Sequence, residues 1–251
     1  MVVTLPDSED LRGVRQAGRV VAHAIEAMAA ELRAGVTTAE LDAIGQTAIA
    51  EHGARSAPQT VYGFPGATCI SVNDEAAHGI PGTRVVREGD LVNLDVSAEK
   101  DGYFADSGAS YPVGEVSEAA RLLLAATQEA LTAALAAVRA GELLNGVGRA
   151  VQKVADDRGF LVVRNLCGHG VGGGLHEEPR AVLNYYEPSD RRRFSAGQVL
   201  TIEPFLSIDS DRAVESGDGW TLCTAAGGLA AQFEHTIVVT AEGAEILTGR
   251  A

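Results

Sequence analysis

Three stretches of the chain are apolar enough to be buried strands, and each holds a carboxylate: LVNLDV at 91–96, VLTIEPF at 199–205 and AAQFEHTIVV at 230–239. An unpaired charge inside a core is expensive, so each acid needs a cation, a proton or a partner within the fold. Either Glu203 or Glu234 taken singly reads as an acid near a strand end. Three such strands in one chain point to a shared centre.

The first strand belongs to a hairpin, GDLVNLDVSAEKDGYFADSGASYPVG at 89–114. Alternate side chains of a strand share a face, so Asn93, Asp95 and Ser97 lie opposite to Leu94 and Val96. A turn centred between Lys100 and Asp101 would set Asp95 directly across from Asp106. Facing carboxylates repel unless a cation lies between them or one takes up a proton. Two exposed acids on a solvated face are the alternative, and the apolar run around Asp95 argues against it.

The segment NLCGHGVGGGLHEEP at 165–179 places His169 and His176 among five glycines, and Gly168, Gly170 and Gly173 spell G-x-G-x-x-G. A phosphate loop of that form needs a helix to begin at its end. His176-Glu177-Glu178-Pro179 follows instead, without an apolar helical period. The glycines are expected to let backbone pass close to a metal cluster and substrate, with both histidines pointing inward. Four carboxylates and one imidazole are too acidic for a lone structural zinc and suit two divalent ions sharing bridging carboxylates.

The 251 residues suffice for a sizeable core, and 46% are hydrophobic. A net charge of −14 argues against a nucleic-acid or anionic-membrane partner, and the run Arg191–Arg193 reads as a solvated loop or helix start. Cys69, Cys167 and Cys223 have no paired spacing, which suits a reducing cytoplasm. The opening MVVTLPDSEDLR has no basic segment leading into an apolar one and reads as no signal peptide.

Helices are expected over 8–32 (Leu11, Val14, Ala17, Val21, Ile25 and Met28 on one stripe), 38–52, 117–138 and 144–157. Thr38 is the expected cap of the second, with Leu41, Ile44, Ala48 and His52 on one face and Gly53 closing it. Strands are expected over 68–72, 91–98, 103–113, 160–166, 198–206, 220–224 and 231–240. Helix, helix, strands thus occurs twice, and Arg33-Ala34-Gly35, Gln46 and Gly53 reappear as Arg139-Ala140-Gly141, Gln152 and Gly159, 106 positions later. No linker rich in proline, glycine or serine separates the halves, which implies one continuous sheet with helices on it.

The strings CGHGVGGGLHEEP, NLDVSAEKDGYFADSG, SVNDEAAHGIPG, TIEPFL and QFEHTIVV resemble the type I methionine aminopeptidases, in that family's order and spacing, from about residue 8 to 248. The resemblance implies an α+β, pita-bread fold: two pseudo-symmetric halves, about 8–113 and 114–248, with helices packed on curved antiparallel sheet. Residues 1–251 would form a single catalytic domain.

It further implies that Asp95, Asp106, His169, Glu203 and Glu234 hold two divalent ions (Mn, Fe, Co or Zn), with Asp106 and Glu234 bridging. Glu203 would shuttle the proton, His176 would hydrogen-bond the scissile carbonyl, and His78 would contact the peptide beyond it. Phe64, Cys69 and Trp220 would line the methionine pocket. The expected substrates are N-terminal methionyl peptides and nascent chains whose second residue is small, handled by a cytoplasmic monomer.

Two positions depart from the family: Val61 stands where tyrosine is frequent, and Leu175 where bacterial members often carry phenylalanine. An X-Pro aminopeptidase or prolidase, which usually carries an additional N-terminal domain, is the nearest rival reading. A non-catalytic binding protein of the same fold is the other, and loss of a ligand position would mark it; all five are present.

Overall fold

The structure is a computed structural model, described here over residues 8–249. The N-terminal segment 1–7, on which most of the leader-peptide reading rests, lies outside the described residues.

The chain opens with α1 (Glu9–Glu31) and α2 (Thr38–Glu51), then β1 (Arg55–Ser56), α3 (Ala57–Tyr62), β2 (Cys69–Val72), β3 (Glu75–Ala77), β4 (Leu91–Lys100) and β5 (Tyr103–Pro112). A second helix pair follows, α4 (Glu118–Ala136) and α5 (Asn145–Arg158). Next come β6 (Leu161–Val162), β7 (Cys167–Gly170), β8 (Glu177–Leu183), β9 (Val199–Ile202) and β10 (Phe205–Ser207). The chain closes with β11 (Ala213–Glu215), β12 (Leu222–Thr224), β13 (Ala230–Gln232), β14 (His235–Val239) and β15 (Ala244–Ile246).

Side-chain caps start three of the long helices, two of them where the sequence places them. Ser8 accepts from the Leu11 N–H and Ser117 from the Ala120 N–H. The second helix begins one residue earlier than expected: Thr37 is the cap, in a reciprocal capping box with Glu40, because only that spacing brings the N3 carboxylate back to the cap N–H. Its buried face is Leu41, Gly45, Ala48 and Ile49, whereas His52 is exposed at the C-terminal end. Gly53 and Gly159, paired by the offset of 106, both close a helix with positive φ, 64° and 76°.

The pleat of β4 divides two environments. Val92, Leu94 and Val96 pack under α1 and α2 with Ala17, Val21, Ile25, Met28 and Leu41, forming one core. Asn93, Asp95 and Ser97 point to the other face. In the second half, Leu200 and Ile202 of β9 and Ile237 and Val239 of β14 pack under α4 and α5 in another core with Leu123, Leu131, Val147 and Val151. Each helix pair thus covers one side of its strands; the other side of β4 is polar, whereas Val199 of β9 and Val238 of β14 meet Leu11 and Val14 of α1 in a further core.

The sheet is not the single continuous one expected. The strands form four sheets, ordered β1-β4-β2 with β5 on β4, β13-β10-β6, β11-β12-β3 and β15-β14-β9-β7-β8, and every ladder is antiparallel. A bridge between Ala109 and Phe233 joins the first half to the second. The expected strands 198–206 and 231–240 are each interrupted, at Glu203-Pro204 and at Phe233-Glu234. Pro204 has no N–H to give a ladder, and Glu234 donates its N–H across to Gly108 instead. The two carboxylates therefore stand at the strand breaks.

Candidate metal centre

The β4–β5 register corrects the expected pairing of the first two acids. Lys100 pairs with Tyr103, so the turn is centred between Asp101 and Gly102, both at positive φ (53° and 87°). Asp95 faces Gly108, and Asp106 faces Ser97. The two carboxylates are diagonal neighbours on one face. A turn one position later follows from Gly102, which takes the positive φ at lower steric cost than Asp101 could at the corresponding place.

His169 comes from β7 and is buried. Its Nδ1 lies 3.0 Å from the Gly170 carbonyl, which can only accept, so Nδ1 carries the hydrogen and Nε2 keeps a free lone pair. That Nε2 stands 3.6 Å from Glu203 Oε1 and 3.8 Å from Asp106 Oδ2. One ligand atom each from Asp106, His169 and Glu234 lie within 4.8 Å of one another. Burial, with His176 and His78 nearby, pushes the His169 pKa down to about 3, leaving a neutral imidazole fit to bind a metal.

The acids are held in an environment that penalises their charge. Burial raises Asp95 to about 7 against the opposing effect of its bond to Asp106. Burial pushes Asp106, Glu203 and Glu234 well above the usual carboxylate range, and the neighbouring carboxylates add to it. Asp106 Oδ1 and Glu234 Oε1 are buried without a hydrogen-bond partner. Buried anionic oxygens left without donors are what a bound cation would satisfy, so the donor set fits divalent ions.

Supporting bonds orient the acids. The Thr201 hydroxyl donates to Glu203 Oε1 at 3.0 Å, and Gln232 Nε2 donates to Glu234 Oε2 at 2.9 Å. Gln232 is fixed in turn by Asn93 Nδ2, which donates to its Oε1 at 2.8 Å. Thr201 and Gln232 were not singled out from the sequence. The signal was there: each precedes its acid by two positions and so shares its side of the strand. The Thr236 hydroxyl donates to the Asp106 carbonyl and accepts its N–H, tying β14 to β5 beside the centre.

The glycines around His169 serve a different purpose from the one expected. A Cβ on Gly168 would run into the Thr201 carbonyl, and one on Gly170 into the Glu178 carbonyl. They let β7 sit tightly between β9 and β8, rather than letting backbone approach the cluster.

A cavity of about 520 Å³ opens over the acids. His78, Phe64, Cys69, His169, His176 and Trp220 line it together with all four carboxylates, so the structure brings together every residue expected at the site. Phe64 and Trp220 meet edge to face, 5.2 Å between centroids, and Asp218 pins the Trp220 loop by accepting from the Trp220 and Thr221 N–H groups. His78 follows β3 with a φ of 56°, a conformation rare outside glycine. Burial raises the Cys69 thiol well above its ordinary value and Cys167 to about 11, which leaves both unreactive as nucleophiles.

Val61 is corrected: it is 44% exposed and does not line the cavity. Tyr62, the next residue and the last of α3, lines the cavity although it is 47% exposed. Leu175 is buried and does line it. Arg191–Arg193 form a loop, with Arg192 paired to Asp190 at 2.6 Å. No helix among the described residues is long and apolar enough to cross a membrane.

Comparison with known proteins gives the family. The family model for metallopeptidase family M24 matches residues 12–241. Methionine aminopeptidase 2 of Bacillus subtilis is 45% identical over 99% of both chains. Among solved structures, the methionine aminopeptidase of Thermotoga maritima superposes with a TM-score of 0.95 at 34% identity, covering 99% of this chain and 100% of that one. That of Rickettsia prowazekii gives 0.94 at 33% identity, with 99% and 100% covered. The fold is the pita-bread fold, α+β with helices on curved antiparallel sheet. The chain belongs to metallopeptidase family M24, among its methionine aminopeptidases.

Proposed function

We propose that this metal-dependent hydrolase removes the N-terminal methionine from peptides and nascent proteins whose second residue is small. One observation carries the reading: Asp106 of β5 and Glu203 and Glu234 at two strand breaks converge with the Nε2 of a neutral histidine in one cavity, with two carboxylate oxygens unsatisfied. The relatives' names supply the substrate class.

In this reading Asp95, Asp106, His169, Glu203 and Glu234 would hold two divalent ions, drawn from Mn, Fe, Co or Zn. When bound, such ions lower the pKa of water and polarise the scissile carbonyl. Glu203 takes the proton from the attacking water on its carboxylate and passes it to the departing amine; the bond from Thr201 fixes Oε1 and orients the group. His176 donates to the scissile carbonyl oxygen, and His78 contacts the peptide beyond. Phe64, Cys69 and Trp220 take the methionine side chain, joined by Leu175 and Phe205.

The repeated helix pair over two cores supports one catalytic domain with halves at about 8–113 and 114–248. Free cysteines support a cytoplasmic enzyme, and we read it as a monomer.

Peptide turnover by metal-reconstituted protein tests the proposal. Methionine should be released from a Met-Ala peptide, and neither Met-Leu nor Ala-Pro should be cleaved at a comparable rate. Cleavage of Ala-Pro would favour an X-Pro aminopeptidase, and no turnover of any peptide would favour a binding protein.

A further inference from the structure

Tyr62 carries no role in the reading above, yet its hydroxyl lies 2.7 Å from His176 Nδ1. The two rings are 5.6 Å apart at 54°, and both line the cavity over the acids. The pair joins positions 114 residues apart, one from each half of the chain.

The two partners differ in how firmly their own backbone is held. Tyr62 is the last residue of α3, whose start is capped by Ser56. Gly63, at φ 71°, ends the helix and returns its N–H to Gln59. His176 instead follows a segment in which Gly170, Gly172, Gly173 and Gly174 leave the chain little intrinsic stiffness. Its carbonyl accepts from Arg180 Nη1 at 3.2 Å, and its ring is reached by Tyr62. The ring thus packs on His169 of its own segment, 4.0 Å between centroids, and takes its side-chain hydrogen bond from outside it, from Tyr62.

The bond also bears on which ring nitrogen holds the hydrogen. A neutral imidazole has one donor nitrogen and one acceptor. If Nδ1 carried the hydrogen it would donate to the phenol oxygen, and Nε2 would be a bare acceptor, unable to stabilise negative charge on a carbonyl. If the phenol donates, Nε2 carries the hydrogen. We infer that Tyr62 is a positioning residue: its hydroxyl donates to His176 Nδ1, holding the ring's orientation and keeping Nε2 as the N–H donor. This rests on the reading in which His176 serves the scissile carbonyl.

The test combines the variant Tyr62→Phe, which removes only the hydroxyl, with His176→Gln and the double variant. Tautomers are read from proton–nitrogen correlation spectra of zinc-loaded protein with isotope-labelled histidine, His176 being assigned by its loss in His176→Gln. The parent should show a bare Nδ1 and a protonated Nε2, and Tyr62→Phe should show a mixture. Tyr62→Phe should keep its metal and its KM within about twofold while kcat falls about tenfold, the scale of one lost hydrogen bond. In the His176→Gln background the same change should cost nothing further. A protonated Nδ1 in the parent, an unchanged tautomer in Tyr62→Phe, or an equal loss in both backgrounds would overturn the inference. Full turnover by His176→Gln would overturn the donor role beneath it, and the spectra would still report separately whether Tyr62 sets the tautomer.

Discussion

His169 Nε2 stands 3.8 Å from Asp106 Oδ2, beyond hydrogen-bond reach but close to the separation of two ligands on one ion. Two donors at ordinary metal distances are about 3.4–3.6 Å apart when they share an ion. With the Nδ1 hydrogen committed to the Gly170 carbonyl, the free lone pair of His169 is on the side of the carboxylates.

Removing either acid that has an unsatisfied oxygen should therefore remove metal as well as turnover. Asp106→Ala and Glu234→Ala are expected to show reduced metal content by elemental analysis after dialysis, in parallel with lost methionine release. Either variant with full metal and full activity would refute the ligand set.

His176 should behave differently. His176→Ala is expected to retain metal while kcat falls by roughly 10²–10³, the scale for one charge-stabilising donor. A parallel loss of metal and rate would make it a ligand instead.

Metal-free protein should become less stable as pH rises from 6.5 to 8. Asp95, raised to about 7, loses its proton in the folded chain across that window, whereas it is already ionised when unfolded; the other buried acids are raised in the same sense, so rising pH favours the unfolded chain. The histidines with lowered pKa act in the opposite sense, but only below about 6.5, where the unfolded chain binds their protons. Calorimetry in chelator should show a falling Tm across that window, and saturating Mn should flatten it. A chelated protein whose Tm rises from 6.5 to 8 would contradict the charge crowding described here.

Gly168→Ala should destabilise by about 1–3 kcal/mol, because its Cβ meets the Thr201 carbonyl and the strands must part. That corresponds to a Tm loss of about 2–4 °C per kcal/mol. Gly146→Ala, in the first turn of α5 with only Ala137 at 3.9 Å, is the control and should be neutral or stabilising.

Selectivity for methionine should respond to one departure and not the other. Leu175→Phe puts a ring on the cavity wall and should sharpen discrimination against norleucine and leucine in kcat/KM, within the ~1–3 kcal/mol that apolar contacts supply. Val61→Tyr should leave the ratio unchanged, since Val61 is off the wall.

Periodicity placed α1, α4 and α5 within a residue or two, and a capping serine marks the start of α1 and of α4, because a buried stripe and a capping side chain are local facts. The polar face of β4 was equally legible, since alternation depends only on the pleat. The type of chemistry followed from acids inside apolar strands, which no core tolerates unpartnered. What the sequence could not decide was everything set between distant segments. Register slipped the Asp95–Asp106 pair onto a diagonal, because a turn's preference for Gly102 outweighs a one-residue difference that composition does not reveal. The breaks at Glu203 and Glu234 arise where strands from separate sheets meet, as the Glu234 N–H crosses to Gly108. Only the packing of three strands explained why glycines flank His169. Likewise, Tyr62 and His176, 114 positions apart, become neighbours only once the two halves close over one cavity.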